Sequence, residues 1–216
     1  MATGRRYRGF IRGGDVVVGG LAAAGAVFFQ KDGRLLRLDV VRSPMTLAGA
    51  AATPMLTPTI ARSYASGVES LSEAAELVAR GEPQSSQTSC QAALFTTNAS
   101  TFLASDTLQA EVFGSSSLIV RCTDADDLRA VADGIEGQLT VTVHADESDL
   151  DAAAKLLPVL ELKAGRILFG GWPTGVEVCH AMVHGGPFPA TSDSRTTSVG
   201  SRAIERYLRP VCYQDV

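Results

Sequence analysis

From about residue 52 onward, short apolar runs alternate with amphipathic stretches of helical period, and few architectures accommodate that alternation. Strands and helices in strict succession bury their apolar faces best when helices lie on a mostly parallel sheet. Residues 60–80 carry a helical period and end at Gly81, a favoured helix stop. Residues 91–96 read as a strand, and residues 118–122 as a second one, apolar and β-branched enough to be buried. Between them Ser105 and Asp106 are placed to cap a short helix ending near Phe113-Gly114. Asp124 caps the next helix, whose apolar face is Leu128, Val131, Ala132 and Ile135. Residues 139–144 alternate in the manner of a strand. Residues 146–163 predict a helix with Leu150, Ala154, Leu157 and Leu160 on one side and a kink at Pro158. A strand over 166–169, a helix over 199–208 and a final strand over 211–213 complete the series. The predicted class is α/β, with a largely parallel sheet and flanking helices.

Residues 1–51 do not continue the rhythm clearly. Strand-like pieces stand at residues 16–18, 27–30 and 35–41. Arg5, Arg6, Arg8 and Arg12 precede an apolar run over residues 16–29, which is too short to span a bilayer. Asp15 opens that run, glycines interrupt it and no convincing small-x-small cleavage site follows, so a Gly-rich strand pair is preferred over a secretory leader. The 216 residues suffice for a real core, and 45% hydrophobic content with 19% charge describes a folded globular chain. A net charge of -4 without a basic stripe argues against a nucleic-acid partner, and no membrane partner is expected. The four cysteines, Cys90, Cys122, Cys179 and Cys212, have no metal-type spacing and read as reduced thiols.

Residues 164–193 are too irregular to be ordinary core. A strand-like run ends in Gly170-Gly171, and a loop follows that is dense in Gly and Pro and carries Trp172, His180 and His184. A long loop that is ordered usually carries function. Cys179 beside His180, with His184 one turn on, has the look of a nucleophile with its base, or of a partial zinc site. A neighbouring His alone does not lower a thiol pKa, and His144 is the only other histidine available as a ligand. No metal site is assigned.

Glu111-Val-Phe-Gly114 stands after the short capped helix and before a buried strand. Glu-x-Phe-Gly in that setting resembles the aldehyde dehydrogenase superfamily. Residues 173–193, with Arg195-Thr-Thr-Ser-Val-Gly200 and Arg206-Tyr-Leu-Arg-Pro-Val-Cys-Tyr-Gln214, resemble more specifically its α-ketoglutaric semialdehyde (2,5-dioxovalerate) dehydrogenase group. The resemblance runs from about Thr53 to the end. It implies that the fold is an incomplete aldehyde dehydrogenase catalytic domain over residues 52–216, with an oligomerisation strand at its end and residues 1–51 unassigned. It implies NAD or NADP as cofactor, with Glu111 on the nicotinamide ribose hydroxyls and Phe113 beside the ring. Trp172, Thr174 and Arg195 are the implied substrate-binding residues for a small aldehyde, Arg195 as a bidentate partner for a carboxylate. For Arg202 a surface salt bridge is the preferred reading.

The family mechanism starts with a thiolate that attacks the aldehyde. Hydride then passes to the nicotinamide. A glutamate base activates the water that hydrolyses the thioester, and an oxyanion site stabilises the tetrahedral species. This sequence departs from that pattern. The nucleophilic cysteine belongs to a Gly-Gln-x-Cys loop well upstream of Glu111, and residues 1–51 contain no cysteine. The upstream base, oxyanion asparagine and Gly-x-Gly-x-x-Gly turn have no counterpart either. Ser115 stands where the family usually has Pro, and Gly170 where it usually has Asn. No catalytic residue is therefore assigned. The expectation is a cytoplasmic homo-oligomer whose family oxidises a semialdehyde to a carboxylate, in a chain that is inactive alone. The rivals are a non-catalytic, self-associating fragment or pseudoenzyme, and an exported binding protein.

Overall fold

The computed structural model describes residues 16–18, 25–29, 47–83, 86–145, 147–170 and 175–215. A seven-stranded sheet forms its centre, built from β1 (Val16–Val18), β2 (Gly25–Phe29), β4 (Glu76–Arg80), β6 (Ala93–Asn98), β7 (Ser116–Arg121), β8 (Gln138–His144) and β9 (Ala164–Phe169). A separate two-stranded ribbon pairs β3 (Thr53–Pro54) with β5 (Ser89–Cys90). The order across the large sheet is β4-β6-β7-β1-β2-β8-β9. Five of its seven strands, β6, β7, β2, β8 and β9, point the same way, while β4 and β1 oppose them. The sheet is thus largely parallel and the class α/β, as the alternation required. The strand-like piece at 16–18 is β1, and the piece at 27–30 overlaps β2, its antiparallel partner in the middle of the sheet. The piece at 35–41 lies outside the described residues.

Alternation along each strand sorts the two faces. Phe95, Leu118, Val120, Val141 and Val143 are buried on one face, together with helix residues Phe102, Leu128, Val131 and Leu160. These come from α2 (Ala99–Leu103), α4 (Ala125–Gly134) and α5 (Leu150–Lys163). Asp124 caps α4 by accepting from the Asp127 N–H at 2.8 Å, and Leu128, Val131 and Ala132 are its buried face. The opposite side of the sheet carries the polar groups, with Leu94 and Ile119 buried among them. There the Arg121 Nε–H donates to Thr96 Oγ1 at 3.0 Å, and the Arg166 Nε–H to Thr140 Oγ1 at 3.3 Å. Those two guanidinium groups satisfy threonines that the pleat turns away from the helices.

Several boundaries differ from the sequence pattern, each for a tertiary reason. The helix begun at residue 60 is α1 (Pro58–Ala74), and the chain leaves it at Ala75 for the edge strand β4. Leu71, Ala75 and Val78 continue a helical period, but pairing with β6 outweighs that local preference. Gly81 is no helix stop: its N–H donates to Ala92 O at 2.8 Å and closes the β4–β6 pair. The strand placed at 91–96 lies two residues later. The helix capped by Ser105 is α3 (Asp106–Gln109), and it ends four residues before Phe113 because Ala110 is already extended. In α5 the buried face is Ala153, Leu156, Val159 and Leu160, so the stripe is rotated from the one predicted and Leu150 is 58% exposed. Pro158 sits on the exposed side of that helix. The predicted helix over 199–208 is a 3-10 turn, Ser201–Tyr207, with no buried side chain to hold a wider helix. No strand forms at 211–213. Residues 208–215 are exposed and irregular, having no sheet edge beside them within the chain.

His144 closes β8 and is partly buried. Burial holds its imidazole below the ordinary value of 6.5, because the charged form loses hydration. Its neutral form is thus favoured in the folded state, and its contribution to stability is complete above pH 6.5. That contribution falls as pH drops from there through the lowered folded-state value. Urea midpoints at pH 7.5 and pH 5 should show this loss, and His144→Gln should flatten the slope between them.

Candidate functional site

The Glu111-Val-Phe-Gly114 turn is fastened to α1 from below. Tyr64 is 3% exposed, and its hydroxyl donates to Gln91 O at 2.6 Å, with Ser115 O also near at 3.2 Å. Its ring lies directly under Gly114, where an added Cβ would stand 2.3 Å from Tyr64 Cδ2. Gly114 has φ +151°, a backbone conformation that L side chains avoid. One turn along α1, Gly67 leaves room for the Val112 side chain, its own missing Cβ being 2.9 Å from Val112 Cγ1. Val112 and Gly114 therefore point at the helix. Glu111 and Phe113, at the alternate positions, are exposed, Phe113 by 59%. The burial of Tyr64 pushes its phenol well above the ordinary range, so it stays a protonated donor. Ser115, at the position where Pro was the family expectation, accepts from the Ala93 N–H through its carbonyl at 3.0 Å. Its hydroxyl meets Thr53 Oγ1 at 3.4 Å and Cys90 Sγ at 3.7 Å.

The long loop after β9 returns along the polar side of the sheet. Gly170, at φ +69° with its N–H on Val143 O at 2.9 Å, starts it in the left-handed region. Gly and Asn are the residues that enter that region most readily, which accounts for glycine at a place where Asn was the family expectation. Arg166 then anchors the loop, donating from Nη1 to Gly175 O and meeting Met182 Sδ at 3.9 Å. Further on, Gly165 lies against Gly185 O, and Gly137 against the carbonyls of Pro187 and Phe188. Backbone meets backbone there, at the N-terminal ends of β8 and β9. The loop closes on itself through the His184 N–H to Thr197 Oγ1 at 2.8 Å and the Ser201 N–H to Cys179 O at 3.1 Å.

Of the predicted site residues, Glu111 and Phe113 stand side by side at the N-terminal end of β7. Arg195 stands in the returning loop, and Asp193 takes it up: Nε meets Oδ1 at 3.0 Å and Nη2 meets Oδ2 at 3.2 Å. That pairing holds the Asp193 carboxyl below the ordinary carboxylate range. The Arg195 side chain is 87% exposed, so the pair adds little stability. Trp172 and Thr174 lie outside the described residues. Arg202 forms the expected surface pair, with Glu205 at 3.0 Å. The loop and the Glu111 turn share one end of the sheet, but β1 and β2 separate β7 from β8. Three strand spacings make that about 14 Å. No hydrogen bond or ion pair joins Arg195 to Glu111 among the described residues.

None of the four cysteines is in a disulfide among the described residues; Cys90 and Cys122 are buried, Cys179 is partly buried and Cys212 is exposed. Cys90 Sγ lies 3.3 Å from Thr53 Oγ1, behind the Glu111 turn. Sequence reasoning missed Tyr64 and Arg166. A lone tyrosine in the apolar stripe of α1, and an arginine inside a partly buried strand, are the signals that mark them.

No family model matches the chain. It is 54% identical over 171 residues to alpha-ketoglutaric semialdehyde dehydrogenase 2 of Azospirillum brasilense, across 78% of this chain and 33% of that protein. It is 49% identical over 164 residues to alpha-ketoglutaric semialdehyde dehydrogenase of Acinetobacter baylyi, across 74% of this chain and 31% of that protein. The chain thus spans about a third of the relatives it matches. Among solved structures, a mutant of aldehyde dehydrogenase C from Pseudomonas syringae in complex with NAD+ and octanal has the same fold, with a TM-score of 0.56 at 17% identity. That likeness covers 72% of this chain and 30% of the other. Sequence similarity and fold together place this chain in the aldehyde dehydrogenase superfamily, as part of a catalytic domain similar to that of alpha-ketoglutaric semialdehyde dehydrogenases.

Proposed function

We propose that this chain is the part of an NAD(P)-dependent aldehyde dehydrogenase that faces the nicotinamide end of the cofactor. The complete protein would oxidise a semialdehyde of the 2,5-dioxovalerate type to its carboxylate. The observation that carries this reading is the Glu111 turn, locked to α1 through Tyr64 and Gly114 while Glu111 and Phe113 face outward. A carboxylate offers acceptors for a pair of ribose hydroxyls, and the exposed Phe113 ring offers a face to a flat heteroaromatic group. NAD or NADP, when bound, supplies the hydride acceptor. The NAD+ complex of the Pseudomonas syringae protein supports that choice of cofactor class. Trp172, Thr174 and Arg195 serve the substrate side.

By itself this chain is inactive on this reading. Cys90 and Cys122 are buried, away from an aldehyde arriving from solvent. Residues 52–216 are the partial catalytic domain, and residues 1–51 an unassigned segment, diverged or non-homologous. The molecule acts in the cytoplasm as a homo-oligomer. A second reading, a non-catalytic self-associating fragment, draws on the exposed apolar tail: Tyr207 is 84% exposed, Leu208 66% and Tyr213 78%.

The test is an assay of the purified chain with 2,5-dioxovalerate and NAD+ or NADP+, beside NADH binding followed by fluorescence. The expected result is no reduced cofactor, with NADH binding lost in Glu111→Gln/Phe113→Ala. Turnover that survives Cys179→Ala but disappears when all four cysteines are replaced would overturn the inactive reading. Unchanged NADH binding in the double variant removes Glu111 and Phe113 from the site. Light scattering of a monomer at all concentrations argues against self-association.

A further inference from the structure

We propose that the pocket between the start of β8 and the returning loop binds a small hydroxy-carboxylate, with Arg206 as its cation. The pocket measures about 210 Å³ and is lined by Leu139, His184, Thr191, Asp193, Ser198 and Arg206 among others. That is room for about seven water-sized groups at ~30 Å³ each, the scale of a two- to four-carbon acid.

The charges of the lining are unequal. Asp193 is already neutralised: both of its oxygens are held by the Arg195 guanidinium, and the Arg195 N–H adds a further bond at 3.0 Å. Arg206 is close enough to help hold the Asp193 carboxyl low, yet it forms no ion pair with the described residues. A guanidinium with five N–H donors and no carboxylate of its own is thus left at the rim. An oxyanion is its natural complement, and a carboxylate matches the planar fork.

The hydroxyl groups of the lining select what else the ligand carries. Thr191 Oγ1 donates to Gly186 O at 2.7 Å, Thr196 Oγ1 to Asp193 O at 3.2 Å and Ser198 Oγ to His184 O at 3.0 Å. Each of these three hydroxyls has spent its proton on a carbonyl and keeps only acceptor capacity toward the pocket. A ligand that brings a donor as well as an anion suits them, which a hydroxyl beside a carboxylate does.

The ligand is read here without cofactor or turnover, so the proposal stands apart from the dehydrogenase reading. The test titrates the chain with sodium glycolate, acetate or phosphate at constant ionic strength, following the backbone N–H resonances of Thr191 and Ser198. Glycolate should give a saturable shift and bind at least threefold tighter than acetate. Arg206→Gln should weaken glycolate at least tenfold. Arg129→Gln, outside the lining, should leave binding unchanged and confirm that the chain is folded. Shifts that stay linear, or equal affinity in Arg206→Gln, overturn the site. Phosphate binding tighter than glycolate overturns the carboxylate assignment, and acetate equal to glycolate removes the hydroxyl from it.

Discussion

Deleting residues 1–46 should abolish the single cooperative unfolding transition of this chain and turn the remaining protein into an associating species. The reason is the place of β1 and β2. They lie between β7 and β8, where β1 pairs with three residues of β7 and β2 with five of β8. Without them the sheet divides into β4-β6-β7 and β8-β9, linked only through α4. Backbone hydrogen bonds are worth about 1 kcal/mol each, and the three lost ladders, β7–β1, β1–β2 and β2–β8, amount to a large share of the ~5–15 kcal/mol that holds a domain together. Val120 ends up on one half and Val141 and Val143 on the other, although all three belong to one buried cluster. Two unpaired edges of apolar strand are then exposed, and such edges recruit other chains. Calorimetry with light scattering checks this. A deletion variant that stays monomeric and melts in one transition at an unchanged temperature would show that β7 and β8 close on each other directly.

The sequence made the five parallel strands legible because each is a short apolar run bounded by turn chemistry, and α4 because Asp124 and its four-residue spacing announce it. It did not make β4 legible. Residues 75–80 continue the helical period of α1, and only the neighbouring β6 decides that they pair as a strand. The α5 face was misplaced for a related reason: apolar residues surround that helix on more than one side, so the pattern alone does not choose the stripe that meets β8 and β9. The tail was misread because a β-rich composition at 211–213 has no partner edge within the chain. In the site, Glu111 and Phe113 were visible as a motif, but the reason for its spacing was not. That reason is the alternation that sends Val112 and Gly114 down onto Gly67 and Tyr64, a contact between segments about fifty residues apart. The engagement of Arg195 by Asp193, two residues before it, is a local pair that sequence spacing allows but does not require.

Gly114→Ala should lower the melting temperature by about 6–12 °C and loosen the Glu111 turn. Two costs add at this position. An alanine held at φ +151° sits in a region that costs about 1–3 kcal/mol for a residue with a side chain. Its Cβ would also fall 2.3 Å from Tyr64 Cδ2 and 2.7 Å from Cε2. The ring does not yield easily, being 3% exposed and tied by its hydroxyl to Gln91 O at 2.6 Å. Overpacking of a fixed core group costs about 1–3 kcal/mol. Taking a total near 3 kcal/mol, a chain of this size loses about 2–4 °C for each kcal/mol. The two costs separate in a double-mutant cycle. In a Tyr64→Leu background the collision is relieved and only the backbone strain remains, so Gly114→Ala should cost about half as much there. An equal loss in both backgrounds would assign the whole effect to φ, and no loss in either would mean that Tyr64 does not support the turn. If Glu111 and Phe113 face a nicotinamide, the single variant also weakens NADH binding while the protein remains folded at 20 °C. A pure loss of stability leaves that affinity unchanged once the unfolded fraction is subtracted.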